Sequence, residues 1–113
     1  MNNALKLVNT EEDLKALKKE CTDKAIFILF WASWDESSET LKSMMEEMPS
    51  VYQNLRLAYV NCDESDLVDV LEVETVQTIV VIHPEGSGKK DEKHLGVRPE
   101  QLTELVQKEN HTY

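Results

Sequence analysis

Ala25-Ile26-Phe27-Ile28-Leu29-Phe30-Trp31 runs straight into Ala32-Ser33-Trp34-Asp35-Glu36-Ser37-Ser38, and the apolar half of that stretch decides the architecture. A near-continuous run of Ile, Phe and Leu of this length suits a central β-strand buried on both faces. It is far short of the roughly 20 residues that a membrane-spanning helix needs. The polar half leads into a helix. Leu41, Met44, Met45 and Met48 follow at i, i+3, i+4 and i+7, an amphipathic apolar stripe that Pro49 stops. The methionines read as core filling, because Met fits irregular gaps.

Working outward, Leu5-Lys6-Leu7-Val8 reads as a short strand. Thr10 then caps a helix with an acidic first turn, Glu11-Glu12-Asp13, and with Leu14, Leu17 and Cys21 at helical spacing. Leu55 to Val60 is the next strand, and Ser65 to Leu71 a short helix with Leu67, Val70 and Leu71 on one face. Thr78-Ile79-Val80-Val81-Ile82 is a β-branched strand, and His83-Pro84-Glu85-Gly86-Ser87-Gly88 punctuates it. A polar segment from Glu92 to Leu95 is expected to pair back as a hairpin edge. Gly96 leads to Arg98-Pro99-Glu100, with proline suited to a first helical position, and Leu102, Leu105 and Val106 complete a last helix. The tail from Glu109 to Tyr113 is expected to fray. The order β-α-β-α-β-α-β-β-α predicts an α/β fold, with a mixed central sheet of about five strands flanked by four helices. One domain over residues 1–113 is expected.

Charge narrows the function. The 22 acidic and 12 basic residues leave a formal charge of −10, which disfavours nucleic acid and anionic membrane surfaces as partners. A basic protein partner is compatible with this charge, though solubility explains it as well. The residues before Val8 hold one lysine and no apolar h-region, so no secretory signal is expected and the expected location is the cytoplasm, with or without the nucleus.

Two cysteines, Cys21 and Cys62, form no Cys-x-x-Cys pair. In alternating β/α topology Cys62 follows a strand and Cys21 closes a helix, which sets them at opposite edges of the sheet, too far apart to bridge. Cys62 reads as a small half-buried residue at a strand end; a reactive thiol is the alternative. His83, His94 and His111 show no ligand spacing, so no metal site and no cofactor are expected.

The element order is that of thioredoxin, and particular residues carry the resemblance. Phe30-Trp31-Ala32-Ser33-Trp34 is similar to the segment leading into the Cys-Gly-Pro-Cys motif. Val60-Asn61-Cys62-Asp63-Glu64 resembles the following strand ending, and Val73-Glu74-Thr75-Val76-Gln77-Thr78 the segment that carries the family's cis-proline. The Leu95-Gly96 step and the final helix fall where the family has them. The resemblance implies a thioredoxin fold, with Trp34, Asp35, Val76, Gln77, Leu95 and Gly96 lining the groove beside the former dithiol.

It also implies that the redox chemistry is gone. Asp35 matches the nucleophilic cysteine and Ser38 the resolving one; a carboxylate cannot attack a disulfide, and an unactivated hydroxyl does not replace a thiol. Leu29 matches the buried acid that assists proton transfer, and Gln77 matches the cis-proline. A cis bond at a non-proline residue costs several kcal/mol, so Val76–Gln77 is expected to be trans. Asp35 itself reads as a helix N-cap before it reads as anything catalytic. Asp63, Glu64, Asp66, Asp69, Glu72 and Glu74, with Asp35, Glu36 and Glu39, would form an acidic rim, from solvation or as a docking face for a basic partner.

Within the superfamily, the Phe-x-Ala-Ser-Trp lead-in, the acidic strand ending and Leu71-Glu72-Val73 resemble the N-terminal domain of multidomain monothiol glutaredoxins. In that family the domain accompanies a Cys-Gly-Phe-Ser glutaredoxin domain that binds an iron–sulfur cluster. Gln77 departs from the group, which usually keeps the proline, and this sequence has no Cys-Gly-Phe-Ser. The expected function is therefore a redox-inactive binding or adaptor domain linked to iron–sulfur or redox homeostasis. Its expected partner is a protein, such as a glutaredoxin domain of the same full-length chain. A single-thiol oxidoreductase using Cys62 is the alternative, and a degenerate spliceosomal or phosducin-like relative a third.

Overall fold

The computed structural model describes residues 5–49, 51, 52 and 54–110. Along them the chain forms β1 (Lys6–Leu7), α1 (Glu11–Glu20), β2 (Ala25–Trp31), α2 (Glu36–Glu46), β3 (Leu55–Asn61), α3 (Leu67–Val70), β4 (Thr78–Ile82), β5 (Glu92–His94) and α4 (Pro99–Asn110). The five strands make one sheet in the order β1-β3-β2-β4-β5. β1, β3 and β2 run parallel, β4 runs antiparallel to β2, and β5 antiparallel to β4. This is the mixed thioredoxin sheet expected from the element order.

β2 is central because both of its faces are apolar. Ile26, Ile28 and Phe30 pack on one side with Leu14, Leu17 and Cys21 of the α1 segment and Leu67 of α3. Ala25, Phe27 and Leu29 pack on the other with Leu41 and Met45 of α2 and Leu102 and Val106 of α4. Each large apolar side chain buried in this way contributes about 1.5–3 kcal/mol of transfer free energy. The alternation along one extended strand thus seats helices on both faces of the sheet.

Local chemistry sets the helix starts. Thr10 accepts from the Asp13 N–H at 3.0 Å, and the Asp13 carboxylate accepts from the Thr10 N–H at 3.3 Å. This reciprocal capping box fixes the entry to α1. The Asn9 backbone N–H also bonds the Asp13 carboxylate (3.1 Å). That bond is the main reason the carboxyl is held below its ordinary range.

Three expectations need correction. α3 starts at Leu67 rather than Ser65 and is a single turn, so Val70 is exposed rather than sharing the buried face with Leu67. α2 ends at Glu46 with Glu47 as its C-cap, so Met48, the last residue of the expected stripe, lies beyond the helix; a stop ahead of Pro49 is what the proline ring requires. α4 does not fray at Glu109: both Glu109 and Asn110 are helical, and Glu109 is buried. The Asn110 side chain accepts from the Asn54 N–H (3.1 Å), and its carbonyl accepts from the Asn54 amide (2.7 Å), which ties the last turn to the chain ahead of β3. Residues 111–113 of the expected tail, His111 among them, lie outside the described residues. No helix among the described residues is long and apolar enough to cross a membrane.

Candidate functional site

The parallel strands β2 and β3 end side by side, and the loops that leave them carry most of the singled-out residues. The loop after β2 turns through Trp34 into Asp35, the N-cap of α2. Asp35 is extended (φ −111°, ψ 106°), and its carboxylate accepts from the Ser38 N–H at 3.3 Å. Asp35 and Ser38 are therefore joined by a capping hydrogen bond. Asp35→Ala is expected to cost about 1 kcal/mol of stability in urea unfolding, the usual loss on deleting an N-cap; an unchanged midpoint would show that the cap contributes nothing.

Ser38 is fully buried. Its hydroxyl accepts from the Ala32 N–H (3.2 Å) and lies within donating distance of the Ala32 (3.2 Å) and Asp35 (3.0 Å) carbonyls, one at a time. It thus satisfies a buried backbone N–H just beyond the end of β2 and ties that turn to α2. Trp34 is 69% exposed, and its indole N–H donates to Asp63 Oδ1 at 3.0 Å, linking the loop after β2 to the loop after β3. Asp63 and Glu64 are turned there by Asn61, whose side-chain oxygen accepts from the Asp63 N–H and whose amide donates to Glu64.

Cys62 begins that second loop. Its N–H donates to the Trp31 carbonyl at 2.8 Å, and its half-buried side chain packs against the α1-side core. Burial first, and the Asp63 carboxylate second, push its thiol up to about 11. Cys21 is buried in the core, where desolvation raises its thiol as well. Neither cysteine is in a disulfide.

Gln77 sits at the start of β4, and every peptide bond among the described residues is trans, Val76–Gln77 included. Its φ is +65°, left-handed territory that proline's ring forbids. Its N–H donates to the Phe30 carbonyl (3.2 Å), a bond proline could not make. Its carbonyl accepts from the Val97 N–H (3.1 Å), and its side-chain amide donates to the Val97 carbonyl (3.3 Å). Those bonds bring the Leu95-Gly96 step to the same end of the sheet. Leu95 is 66% exposed and lies beyond β5, which ends at His94; Gly96 turns there with φ +60°.

Trp34, Asp35, Gln77, Leu95 and Gly96 therefore share one edge, with Val76 beside them in the chain. Glu36, Glu39, Asp63, Glu64, Asp66, Asp69, Glu72 and Glu74 are all exposed and Asp35 is half-buried. Leu29, by contrast, is fully buried in the α2/α4-side core, paired with Tyr59 on β3 and Ile79 on β4.

Two features were not legible in the chain. The Trp34–Asp63 bond joins residues 29 apart. At the other end of the sheet, His83, Glu92 and Glu109 converge, with their ligand atoms within 4.8 Å of one another. Histidine spacing hid this cluster because two of its three members are glutamates. Hairpin register was the available signal: Glu92 pairs with Val81, two residues before His83.

The thioredoxin family model matches residues 5–108. Solved thioredoxins share the fold. The Malassezia sympodialis protein is 18% identical with a TM-score of 0.74, over 96% of this chain and 93% of that one. A Schistosoma mansoni thioredoxin pre-protein, in its reduced form, is 18% identical with a TM-score of 0.75, over 94% of this chain and 98% of that one. A Cys-to-Ser mutant of the Entamoeba histolytica protein is 24% identical with a TM-score of 0.74, over 93% and 99%. Among curated proteins none matches significantly.

Proposed function

The chain belongs to the thioredoxin family, and from that premise we propose that it works as a redox-inactive binding or adaptor domain with a degenerate dithiol site. The observation that supports this reading is the capping bond between Asp35 and Ser38, the two residues that the sequence resemblance matches to the family's thiols. An N-cap carboxylate satisfies the same helix N-terminus that would otherwise stabilise a thiolate. The groove would be formed by Trp34, Asp35, Val76, Gln77, Leu95 and Gly96. The exposed Trp34 and Leu95 supply apolar contact area, and the acidic rim supplies charge for a basic partner.

The partner would be a protein, and the subfamily resemblance points to a glutaredoxin domain of the same full-length chain, with a role in iron–sulfur or redox homeostasis. The proposed location is the cytoplasm, with or without the nucleus. The alternative of Cys62 as a working single thiol is not favoured, because burial and Asp63 oppose its ionisation.

Insulin-disulfide reduction tests the reading. Neither the wild type nor Cys62→Ser is expected to turn over, and activity that disappears in Cys62→Ser would sink the proposal. In a titration with a Cys-Gly-Phe-Ser glutaredoxin domain, Trp34→Ala combined with Asp63→Lys is expected to weaken binding at least tenfold. Equal binding by that variant would remove the edge from consideration as the docking face.

A further inference from the structure

The end of β4, the start of β5 and the last turn of α4 meet at a second polar centre. β4 runs antiparallel to β2, with Thr78 opposite Phe30 and Ile82 opposite Ile26. His83 therefore lies a strand's length from the Asp35–Gln77 edge, roughly 15 Å at the rise of an extended chain. There His83 Nε2 stands 2.8 Å from Glu92 Oε2 and 3.8 Å from Glu109 Oε1. The His83 and Glu109 side chains are each 1% exposed, and Glu92 is partly buried.

The unsatisfied side chain here is that of Glu109. Both of its carboxylate oxygens are buried, and neither accepts a hydrogen bond among the described residues. A buried carboxyl group left without partners in this way is costly. One imidazole nitrogen cannot resolve it, since Nε2 carries at most one proton and already faces Glu92. His94 Nε2 stands 3.3 Å from the other Glu92 oxygen but makes no aligned hydrogen bond. Desolvation raises the Glu92 carboxyl, but the hydrogen bond and charge of His83, with smaller contributions from His94 and Lys108, leave it below its ordinary range.

A cation placed between the three side chains would satisfy them together. We propose that His83, Glu92 and Glu109 form a divalent-cation site of the zinc class, which staples the last turn of α4 to the β4–β5 hairpin. The donor set, one imidazole nitrogen and two carboxylates with a position left for water, is that of zinc. Calcium and magnesium take all-oxygen shells. Bond lengths of about 2.0–2.2 Å require the ligand atoms to draw together by roughly 1 Å from their present spread, within reach of the partly exposed Glu92 side chain. The site is independent of the function proposed for the opposite edge.

The test uses the untagged chain, stripped with chelator and titrated with zinc chloride by calorimetry and thermal melting. The expected result is one zinc per chain, a melting temperature that rises with zinc, and at least tenfold weaker binding in both Glu109→Gln and His83→Gln. Glu109→Gln keeps the side chain's shape and, in chelator, is expected to melt at or above the wild-type temperature. If His83→Gln does not fold, the wild-type His83 ring resonances serve instead and are expected to shift on stoichiometric zinc. Absence of one-to-one binding overturns the proposal. So does unchanged affinity in Glu109→Gln, an unmoved His83 ring, or equal binding of magnesium, since each would assign the ion to the acidic surface.

Discussion

Treated with an alkylating reagent at pH 7, the native protein is expected to keep Cys62 unmodified over a period in which the denatured chain reacts completely. The thiolate is the nucleophile. With the thiol pushed from 9.0 up to about 11, roughly one molecule in ten thousand carries it at pH 7, against roughly one in a hundred for an unshifted cysteine. A rate about a hundredfold below that of the denatured chain follows, read residue by residue by mass spectrometry. Equal rates in the two states would mean that the thiol is neither desolvated nor repelled by Asp63.

The same displacement has a consequence for stability. The folded thiol ionises at higher pH than the unfolded one, so its contribution is fully present below the unfolded value near 9.0 and is lost as pH rises toward about 11. Cys62→Ser should therefore flatten the alkaline limb of a stability–pH curve. If the limb stays as steep, some other group is titrating there.

Leu29→Asp is expected to cost about 4 kcal/mol or more at pH 7, measured as a fall in the urea midpoint. Leu29 is fully buried on β2, in the cluster that includes Leu41 and Met45 of α2. Truncation forfeits packing worth about 2–5 kcal/mol, and a carboxyl buried without a partner adds its own penalty. Desolvation would raise that carboxyl's pKa, so the loss should be smaller near pH 4, where the acid enters the core neutral, than at pH 7. Leu29→Met, which keeps the volume, should cost less than about 1.5 kcal/mol. A cost below about 1 kcal/mol for Leu29→Asp would show that the core still accommodates an acid at this position.

Much of the fold was readable because it is local. Thr10 and Asp13 predict a capped helix by their spacing, and β2 and β4 announce themselves by apolar content. Asp35 was legible as an N-cap for the same reason. Val70 was not legible as exposed, because helical spacing says nothing of a helix only one turn long. Glu109 looked like the start of a frayed tail because its polarity suggested solvent. Asn54, far away in the chain, holds the turn beside it in place.

What the sequence by itself determined about Trp34-Asp35-Glu36-Ser37-Ser38 was a capped helix start with no thiol in it. Capping depends only on residues within one turn of each other. Tertiary structure alone decided that Ser38 closes on Ala32, that Trp34 reaches Asp63, that Gln77 stands at positive φ between Phe30 and Val97, and that His83, Glu92 and Glu109 converge. The bonds of Trp34 and Gln77 and the His83 cluster join separate elements, so they depend on strand register and on where helices seat. Packing both faces of β2 sets those two quantities, and no local pattern encodes them.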